Sequence, residues 1–406
     1  MADPVGLVTG RAALAGLVAV GVAAGFVGVS LATRGSGGFF NDFYDYWGAA
    51  RLLATGGNPY DSAALAAVVQ GAGVQFQVGT GYSYPLLFAI LMLPLAALPA
   101  TTAAYVFTGL GLLALALSVT ILLAPLSRLR MVELLLLGGY AGLFTSVRGT
   151  IYFGQANLLV LPLLAVAFRG RLRAPMLALA TAVKLYPVAG LVALAARGRR
   201  AMGALAAAVG LTAALVVLPN LLLGGSAAGG DRVAGFLGPD TFWTNQSING
   251  WVSRLALTSD MTTPPLPWLP VTPTMLALVL AVGVAVIVVV VRRRGDPWDG
   301  CLALLIVWGV VAAPKNSLWN YTPLLLALAW CYPRVRLRPL LLLALVIGLA
   351  LIEVQSRIDL VHDTFYLGSP ALTWLSSLAL YGALVVLGLT AYLLVREPAG
   401  SAEAAV

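Results

Sequence analysis

The sequence predicts an all-α, polytopic integral membrane protein, and three observations carry that prediction. Hydrophobic residues make up 60% of the 406 residues, charged residues make up only 10%, and mean hydropathy is +0.95. Soluble domains carry about 25% charged residues, so a globular chain of this composition could not cover its surface with polar groups. The apolar residues also fall into long stretches, as membrane-spanning helices require. Composition therefore excludes a soluble enzyme and a disordered chain.

Twelve apolar segments are predicted to be helical, with about 10–12 of them crossing the membrane. They cover residues 11–33, 84–98, 102–125, 131–147, 155–168, 174–196, 201–223, 274–292, 299–313, 317–332, 339–357 and 371–395. Long polar loops at 34–82 and 224–273 and a shorter one at 358–370 interrupt them. The first segment exceeds the ~7–15 apolar residues of a signal peptide, so we expect an anchor that is kept in the mature protein. We expect one transmembrane domain over 1–406, with a cytoplasmic tail at 396–406.

Basic clusters predict the orientation, because Lys and Arg are enriched in cytoplasmic loops. Three clusters can be cytoplasmic together: Arg197, Arg199 and Arg200; Arg292, Arg293 and Arg294; and Arg334, Arg336 and Arg338. This arrangement places loops 224–273 and 358–370 outside. With the N-terminus inside, loop 34–82 is outside as well.

Five further Arg residues leave two topologies open for the middle of the chain. They are Arg128, Arg130, Arg169, Arg171 and Arg173. If all twelve segments cross the membrane, these Arg residues lie outside, although basic residues are enriched in cytoplasmic loops. They become cytoplasmic if segments 84–98 and 174–196 only half-cross the membrane. Pro94 interrupts the first segment, and Pro187 beside Lys184 breaks the second. Broken helices are tolerated where they line a cavity within the protein.

Charge, cysteine and histidine content excludes several classes of protein. The net charge of +9 comes from 24 basic and 15 acidic residues, and the basic residues form small clusters rather than a continuous face. We therefore expect no nucleic-acid partner. Cys301 and Cys331 lie in apolar runs and are expected to pack in the core. His362 is the single histidine, so no His-rich metal cluster is possible. No cofactor is predicted, and metal dependence stays open.

Residues 41–61 are predicted to form a short amphipathic helix that ends in a turn. Asp42 and Asp45 share one face of this helix, and Gly56 and Gly57 end it. The aromatic residues suit a membrane–water interface; they are Phe39, Phe40, Phe43, Tyr44, Tyr46 and Trp47. Two interpretations follow: a carboxylate held just above the bilayer beside an apolar groove, or an interfacial helix whose Asp residues are merely solvated.

Five motifs follow one another along the chain. The first is Asp-Phe, an aromatic residue, Ala-Ala, Gly-Gly and Pro-Tyr-Asp within 41–61. The others are Tyr-Ser-Tyr-Pro at 82–85, Gly-Gln-Ala-Asn at 154–157, Ala-Val-Lys-Leu-Tyr-Pro at 182–187 and Asn-Gln-Ser-Ile-Asn-Gly at 245–250. In this order they resemble the motifs of the family 87 membrane glycosyltransferases, the polyprenol-phosphate-mannose-dependent mannosyltransferases of actinobacteria that include the phosphatidylinositol mannoside type.

The resemblance implies a GT-C-type fold whose extracytoplasmic loops carry short amphipathic helices. It also implies inverting transfer of a hexose, most often mannose, from a polyprenyl-phosphate sugar to a glycolipid or cell-envelope glycan. The reaction would take place on the outer face of a bacterial plasma membrane. The expected partners are therefore the donor, the acceptor and membrane lipids.

The chain departs from the family pattern in one place. Where the family often carries Ser-Trp-x-His-Tyr, residues 314–321 read Pro-Lys-Asn-Ser-Leu-Trp-Asn-Tyr. Asn320 or a neighbour stands where a His is expected. If that His assists catalysis in relatives, this enzyme manages without it, uses Lys315 and Asn316, or acts on a different sugar or acceptor.

The chemistry requires a general base near the acceptor hydroxyl and positive charge or hydrogen-bond donors near the departing phosphate. Matching the Asp-Phe motif, Asp42 is the predicted base, and Asp45 is the runner-up. Asp240 and Glu353 are next in line. A Lys within an apolar run is costly, and Lys184 is therefore predicted to contact the donor phosphate. Its alternative role is to snorkel to a polar boundary.

The other predicted substrate-binding residues each have a structural alternative. Arg148 and Arg357 are phosphate candidates or plain interface anchors. Gln155 and Asn157 bind sugar hydroxyls or cap the following helix. Tyr84 of the Tyr-Ser-Tyr-Pro motif also belongs to the predicted set. Asn245, Gln246 and Asn249 are predicted either to shape the acceptor side or to fold their own loop. Lys315 and Asn320, from the segment that departs from the family pattern, complete the set.

Two other functions stay open from the sequence. A lipid or solute transporter often shows inverted repeats and several buried charges, whereas we see no repeat and Lys184 is the one clear mid-segment charge. Within the enzyme class, an arabinosyl, glucosyl or galactosyl transferase is the alternative, because pocket shape sets the sugar.

Overall fold

The computed structural model describes residues 4–34, 39–74, 81–170, 172–223, 237–260, 262–293, 296–358 and 370–396. Within these ranges nearly all regular structure is helical, and β-structure is limited to two isolated bridges. The predicted all-α class is therefore confirmed. His362 lies outside the described residues, as does 224–236 of the second long loop.

The chain forms two compact units, and the first comprises Met1–Leu185 and Ala206–Val233. Its helices are α1 (Pro4–Arg34), α2 (Asn41–Ala54), α3 (Ser62–Gly71), α4 (Leu86–Ala96), α5 (Ala100–Leu123), α6 (Met131–Leu143), α7 (Thr145–Phe153), α8 (Asn157–Phe168) and α9 (Arg173–Val183). The second unit comprises Tyr186–Leu205 and Ala234–Val406.

The helices of the remaining chain are α10 (Leu191–Ala196), α11 (Met202–Leu222), α12 (Ile248–Ala256), α13 (Val271–Arg292), α14 (Trp298–Ala312), α15 (Leu324–Val335), α16 (Pro339–Ile358), α17 (Pro370–Thr373) and α18 (Leu378–Arg396). Short 3-10 turns occur at Tyr186–Gly190, Arg199–Ala201, Leu318–Tyr321 and Trp374–Ser377.

Within the described part of the chain, six helices are long and apolar enough to cross a membrane, and the number is seven if the bent pair α6–α7 forms one span. The six are Thr9–Thr33, Ala100–Leu123, Arg199–Leu222, Val271–Arg292, Pro339–Ile358 and Trp374–Arg396. The other predicted apolar segments form shorter helices, the longest of which is Trp298–Ala312 with 15 residues, so each is shorter than the ~20 residues of a simple crossing. This arrangement is that of a polytopic membrane protein.

Small residues let the membrane-spanning helices approach closely. In α6, a methyl group added at Gly138 or Gly142 would overlap the carbonyl oxygens of Ala15 or Ala19 in α1. In the second unit, a methyl group at Gly382 of α18 would overlap the backbone of α16. Such contacts are typical of membrane helices, which associate by close van der Waals packing rather than by a hydrophobic effect.

Two Arg side chains show which helix ends meet in the first unit. Near the start of α1, the Arg11 Nη2 donates to the Leu129 carbonyl at 2.5 Å, just before α6 begins. Just after α8, the Arg169 Nε donates to the Ile121 carbonyl at 3.2 Å, near the end of α5. We call this the basic end, because Arg128, Arg130 and Arg173 flank these residues in the sequence.

The basic end bears on the two topologies that the sequence leaves open. Helix α5 ends on the side where α1 starts, so these two helices run in opposite directions. The 11 residues of α4 rise about 16 Å, roughly half the hydrocarbon core. This arrangement favours the alternative in which segment 84–98 half-crosses and the described Arg residues share the side of the N-terminus. Arg171 lies outside the described residues.

The core of the second unit is centred on α14, in which Cys301 is fully buried. Cys331 of α15 is fully buried as well. Both are free thiols, so the prediction that they pack in the core is confirmed. Gly309 of α14 passes close to the 3-10 turn of the same unit, where an added methyl group would lie 2.6 Å from the Tyr186 carbonyl oxygen.

Candidate active site

The predicted helix and turn at 41–61 are present. Helix α2 ends at Ala54, and Gly56 then adopts a φ of +75°, which favours glycine. Asp61 is the N-cap of α3, because its carboxylate accepts hydrogen bonds from the backbone of Ala63 and Ala64 at 2.9 and 3.1 Å. This acid therefore has a structural role.

The aromatic residues of this segment are buried within the protein, and their position relative to the membrane boundary stays a prediction. Phe43 is fully buried and its ring centre lies 5.0 Å from that of Phe107 in α5. Tyr46 is 2% exposed and lies 5.0 Å from Phe88 in α4. Because α4 and α5 supply an apolar surface on this side, the aromatic side chains pack inside the unit. They fix the helix that carries Asp42.

A hydrogen-bonded group surrounds Asp42. The Gln155 Nε2 donates to the Asp42 Oδ2. The Gln155 Oε1 accepts from the Lys184 Nζ at 2.9 Å and from the Tyr84 hydroxyl at 2.8 Å. The Tyr46 hydroxyl in turn donates to the Tyr84 oxygen at 2.9 Å. The structure thus brings together four of the predicted site residues, from four separate segments of the chain.

The local backbone explains how these segments meet. Gly154 ends α7 with a φ of +70°, and a methyl group there would lie 2.6 Å from the Phe43 Cβ. The Phe40 N–H donates to the Tyr152 carbonyl at 2.8 Å. A glycine is therefore required both for the left-handed turn and for the close approach of α2. Gln155 follows at once and reaches Asp42.

Lys184 lies at the break that the sequence predicts. Helix α9 ends at Val183, Lys184 is extended, and the 3-10 turn Tyr186–Gly190 follows. The Lys184 side chain is half-buried, and its Nζ lies 5.4 Å from the ring centre of Tyr84. These contacts direct the ammonium into the polar group around Asp42. They do not fit the alternative of a side chain that only snorkels to a boundary.

We call this the carboxylate end of the first unit, defined by Asp42, Gln155 and Lys184. It lies opposite the basic end, because Gln155 precedes α8 and Arg169 follows it. Helix α8 has 12 residues, which corresponds to about 18 Å. Helix α9 likewise begins at Arg173 and ends at Val183, directly before Lys184.

The two candidate bases differ in their surroundings. Asp42 is partly exposed, whereas Asp45 is 7% exposed. Burial raises the pKa of the Asp42 carboxyl above its ordinary value, and the hydrogen bond from Gln155 and the charge of Lys184 act in the opposite direction. Asp42 is therefore partly accessible from solvent and has a raised pKa, and both properties suit a general base.

The helix-capping alternative for Gln155 and Asn157 is wrong. The N-cap of α8 is Ala156, and no side chain caps this helix. Gln155 instead turns towards Asp42. Asn157 is fully buried, and its Nδ2 donates to the Thr150 hydroxyl at 3.3 Å. Asn157 thus faces α7, which leaves a sugar little access to it.

Of the two Arg candidates, Arg148 has contacts that suit an anchor. The Arg148 Nε donates to the Leu143 carbonyl at 2.6 Å, and its guanidinium lies 5.1 Å from the ring centre of Phe26. Arg357 is exposed in the last turn of α16, in the second unit.

The Asn-Gln-Ser-x-x-Gly motif folds its own loop in the second unit. The Asn245 Nδ2 donates to the Asp240 Oδ2 and to the Pro314 carbonyl, each at 3.2 Å. A methyl group at Gly250 would overlap the Asn245 carbonyl oxygen, so the glycine is required for this turn. The Gln246 Nε2 donates to the Ser376 carbonyl at 2.9 Å.

Asn249 has a similar role, because its Nδ2 donates to the Gly238 carbonyl at 2.8 Å. These contacts favour the loop-folding interpretation of Asn245, Gln246 and Asn249. The role of these residues towards an acceptor stays a prediction.

Arg254 is a residue that the sequence interpretation missed. It is fully buried in α12 and donates to the Asn245 carbonyl at 2.7 Å and to the Ser376 and Ser377 hydroxyls at 3.0 and 2.6 Å. It thereby ties the motif loop to the residues before α18. The available signal was a basic residue in the apolar run Trp-Val-Ser-Arg-Leu-Ala-Leu directly after the motif.

The segment that departs from the family pattern lies beside this loop. The Lys315 Nζ is 3.9 Å from the Asp240 Oδ2, and both side chains are partly exposed. Asn316 is 2% exposed, and its backbone N–H donates to the Asn245 Oδ1 at 3.0 Å. Asn320 is half-buried in the turn Leu318–Tyr321.

Among the described residues, no three His, Cys, Asp or Glu side chains are grouped so as to hold a metal ion.

The fold and the site define a class of protein: an all-helical membrane protein with a carboxylate, an amide and a lysine gathered at one end of a helical unit. Comparison with known protein families shows to which family the chain belongs. A family model described as Glycosyltransferase family 87 matches residues 82–314, more than half of the sequence, and the chain belongs to this family. It is therefore a membrane glycosyltransferase. No curated protein and no solved structure matches the chain.

The matched range contains four of the five sequence motifs, including those of Gln155 and Lys184. Helix α2 precedes it, so the assignment of Asp42 depends on its contacts in the structure and on the Asp-Phe resemblance.

Proposed function

We propose that this glycosyltransferase transfers a hexose, which we assign as mannose, from a polyprenyl-phosphate sugar to a glycolipid or cell-envelope glycan. The reaction inverts the anomeric configuration, and its site faces the outside of a bacterial plasma membrane. Asp42 is the general base, and Lys184 contacts the donor phosphate.

The observation that carries the proposal is the Asp42–Gln155–Lys184 arrangement, in which one amide contacts both a carboxylate and an ammonium. Direct displacement requires a base for the acceptor hydroxyl on one side of the anomeric carbon and stabilisation of the phosphate on the other. The acceptor oxygen bonds to the anomeric carbon while the bond from that carbon to the phosphate oxygen breaks. The hydroxyl proton passes to Asp42.

The phosphate then leaves without protonation, as polyprenyl phosphate. An ammonium close to it stabilises the negative charge that develops on the leaving oxygen. One base is sufficient for such an inverting step, because no covalent intermediate with the enzyme forms.

The outward orientation is supported by the two ends of the first unit. Arg11 and Arg169 lie at the basic end, together with Arg residues that flank them in sequence. Basic residues near the ends of spans favour the cytoplasm. The carboxylate end is at the opposite ends of α8 and α9 and would therefore face outwards.

The test is transfer by the purified protein in lipid nanodiscs. Radiolabelled polyprenyl-phosphate mannose is supplied with a membrane glycolipid extract, in parallel with the glucose and arabinose donors. We expect labelled glycolipid with the mannose donor and none with Asp42→Asn. If only another donor supports transfer, that sugar replaces mannose in the assignment. The absence of transfer from every polyprenyl-phosphate sugar would refute the proposal.

A transporter is the competing function, and the same protein tests it in sealed liposomes. Movement of intact labelled donor across the bilayer, without any transfer, would favour that function.

A further inference from the structure

The Gln155 amide has a defined orientation in the carboxylate end. Its Oε1 accepts from the Lys184 Nζ at 2.9 Å and from the Tyr84 hydroxyl at 2.8 Å. An ammonium can only donate, so it requires the carbonyl oxygen of the amide. The amino group of the same amide must then face the other way, where the Asp42 Oδ2 accepts from it.

The sequence suggested that Gln155 binds sugar hydroxyls. Its contacts suggest another role, since both polar groups of its amide are engaged by protein side chains. A sugar hydroxyl that needed this amide would have to displace one of them. The displaced group would be the predicted base, the predicted phosphate contact or Tyr84.

We infer that Gln155 is a positioning residue that orients the Asp42 carboxylate and transmits to it the charge of Lys184. This inference rests on the proposed function, in which Asp42 is the base. Two donors on one carbonyl oxygen polarise the amide, which makes its amino group a stronger donor. That donor holds one carboxylate oxygen of Asp42 and so fixes the plane of the carboxylate relative to the acceptor.

The surroundings of Asp42 determine how loss of Gln155 would affect its acidity. Lys184 carries the opposite charge, Asp45 lies one turn along α2, and the phenols of Tyr46 and Tyr84 face the same polar group. The hydrogen bond from Gln155 opposes the effect of burial on the pKa of Asp42. Without it, the carboxylate would be harder to form and less well oriented.

The experiment compares Gln155→Met and Gln155→Glu with Gln70→Met in the transfer assay. Met keeps the approximate size of Gln and removes both hydrogen-bonding groups. Gln70 is exposed on α3 in the same unit, so it is a control for the same chemical change. The kcat, the KM for the donor and the pH dependence of kcat/KM are measured for each variant.

We expect Gln155→Met to lower kcat about tenfold to a hundredfold, the size of one hydrogen bond to a charged group. The donor KM should change little, and the acidic limb of the pH profile should move to higher pH. Gln155→Glu should be more active at low pH than at high pH, because only the protonated Glu carboxyl can donate a hydrogen bond to Asp42. Its activity should fall as pH rises, because two adjacent carboxylates repel each other. Gln70→Met should match the wild type.

A raised donor KM with an unmoved acidic limb would overturn the inference and restore Gln155 as a sugar ligand. If Gln155→Met does not fold, as judged by thermal stability, the pH profile of Gln155→Glu decides. An unchanged profile in that variant would also overturn the inference. Absence of transfer by the wild-type protein from every polyprenyl-phosphate sugar is a separate result, which would refute the proposed function and the inference with it.

Discussion

The Gln155 side chain contacts both Asp42 and Lys184, through opposite ends of one amide. The two charged residues lie in different segments, at the start of α2 and after the end of α9. Gln155 itself lies in the turn between α7 and α8. A carboxylate and an ammonium are thereby held in one hydrogen-bonded group.

Replacement of Asp42 by Asn should abolish transfer and leave the fold intact. Asn keeps the size of Asp and loses the charge that accepts the proton, and general-base catalysis contributes about 10²–10⁴-fold. Asp45→Asn should cost less, because Asp45 is 7% exposed and a substrate has less access to it. The measurement is transfer by both purified variants, with thermal stability beside it. An active Asp42→Asn and an inactive Asp45→Asn would exchange the two assignments.

Replacement of Lys184 by Ala should weaken donor use more than acceptor use. A charged hydrogen bond to phosphate contributes about 1.5–3 kcal/mol, or roughly tenfold to a hundredfold in kcat/KM for the donor. Lys184→Arg keeps the charge and should recover part of this loss. Kinetics with each substrate varied in turn give the comparison. Equal losses for donor and acceptor would argue against a phosphate contact.

The pH dependence of kcat/KM should show an acidic limb that reports Asp42. A general base acts in its deprotonated form, so activity rises as pH increases through the pKa of that carboxyl. Burial raises this pKa, and the limb should therefore lie above the ordinary range of Asp. The charge of Lys184 acts in the opposite direction, so Lys184→Met should move the limb to still higher pH. A limb that stays in place in Lys184→Met would mean that the two residues are not coupled.

Gly250→Ala should destabilise the second unit. The added methyl group would overlap the Asn245 carbonyl oxygen and lie 2.7 Å from the Asn245 Cγ, in a loop that also contacts buried Arg254. Overpacking of this kind costs about 1–3 kcal/mol. Thermal unfolding in detergent measures the loss. Gly210→Ala is the control, because nothing lies within 4 Å of a methyl group there. Equal stability of the two variants would contradict the close contact.

Cysteine labelling should place loop 34–82 and the basic end on opposite sides of the membrane. Cys301 and Cys331 are buried and can be replaced beforehand. Ser62→Cys, at the exposed start of α3, should react with an impermeant reagent in intact cells. Ser127→Cys, exposed beside the Arg11 contact, should react only after lysis. The reverse pattern would invert the proposed orientation. The same labelling at Ala228 tests loop 224–273.

The pattern of apolar residues was sufficient to predict the class of the protein and much of its local structure. The apolar segments became helices, α2 ended before Gly56, and α9 ended beside Lys184, as predicted. These features depend on hydrophobicity and on residues that end helices, which act over a few positions of the chain. The motifs around Gln155 and Lys184 were likewise visible as short patterns.

The contacts of the side chains, in contrast, depend on how distant segments pack together. Gln155 was expected to bind a sugar or cap a helix, yet its amide contacts Asp42, 113 residues earlier in the chain. The aromatic residues of α2 were expected at the membrane boundary and are buried against α4 and α5. The role of Arg254 was not predicted, and it donates a hydrogen bond to Ser376, 122 residues later in the chain. The composition of a segment shows that it is apolar or polar, but the direction of a side chain depends on which distant helices pack around it.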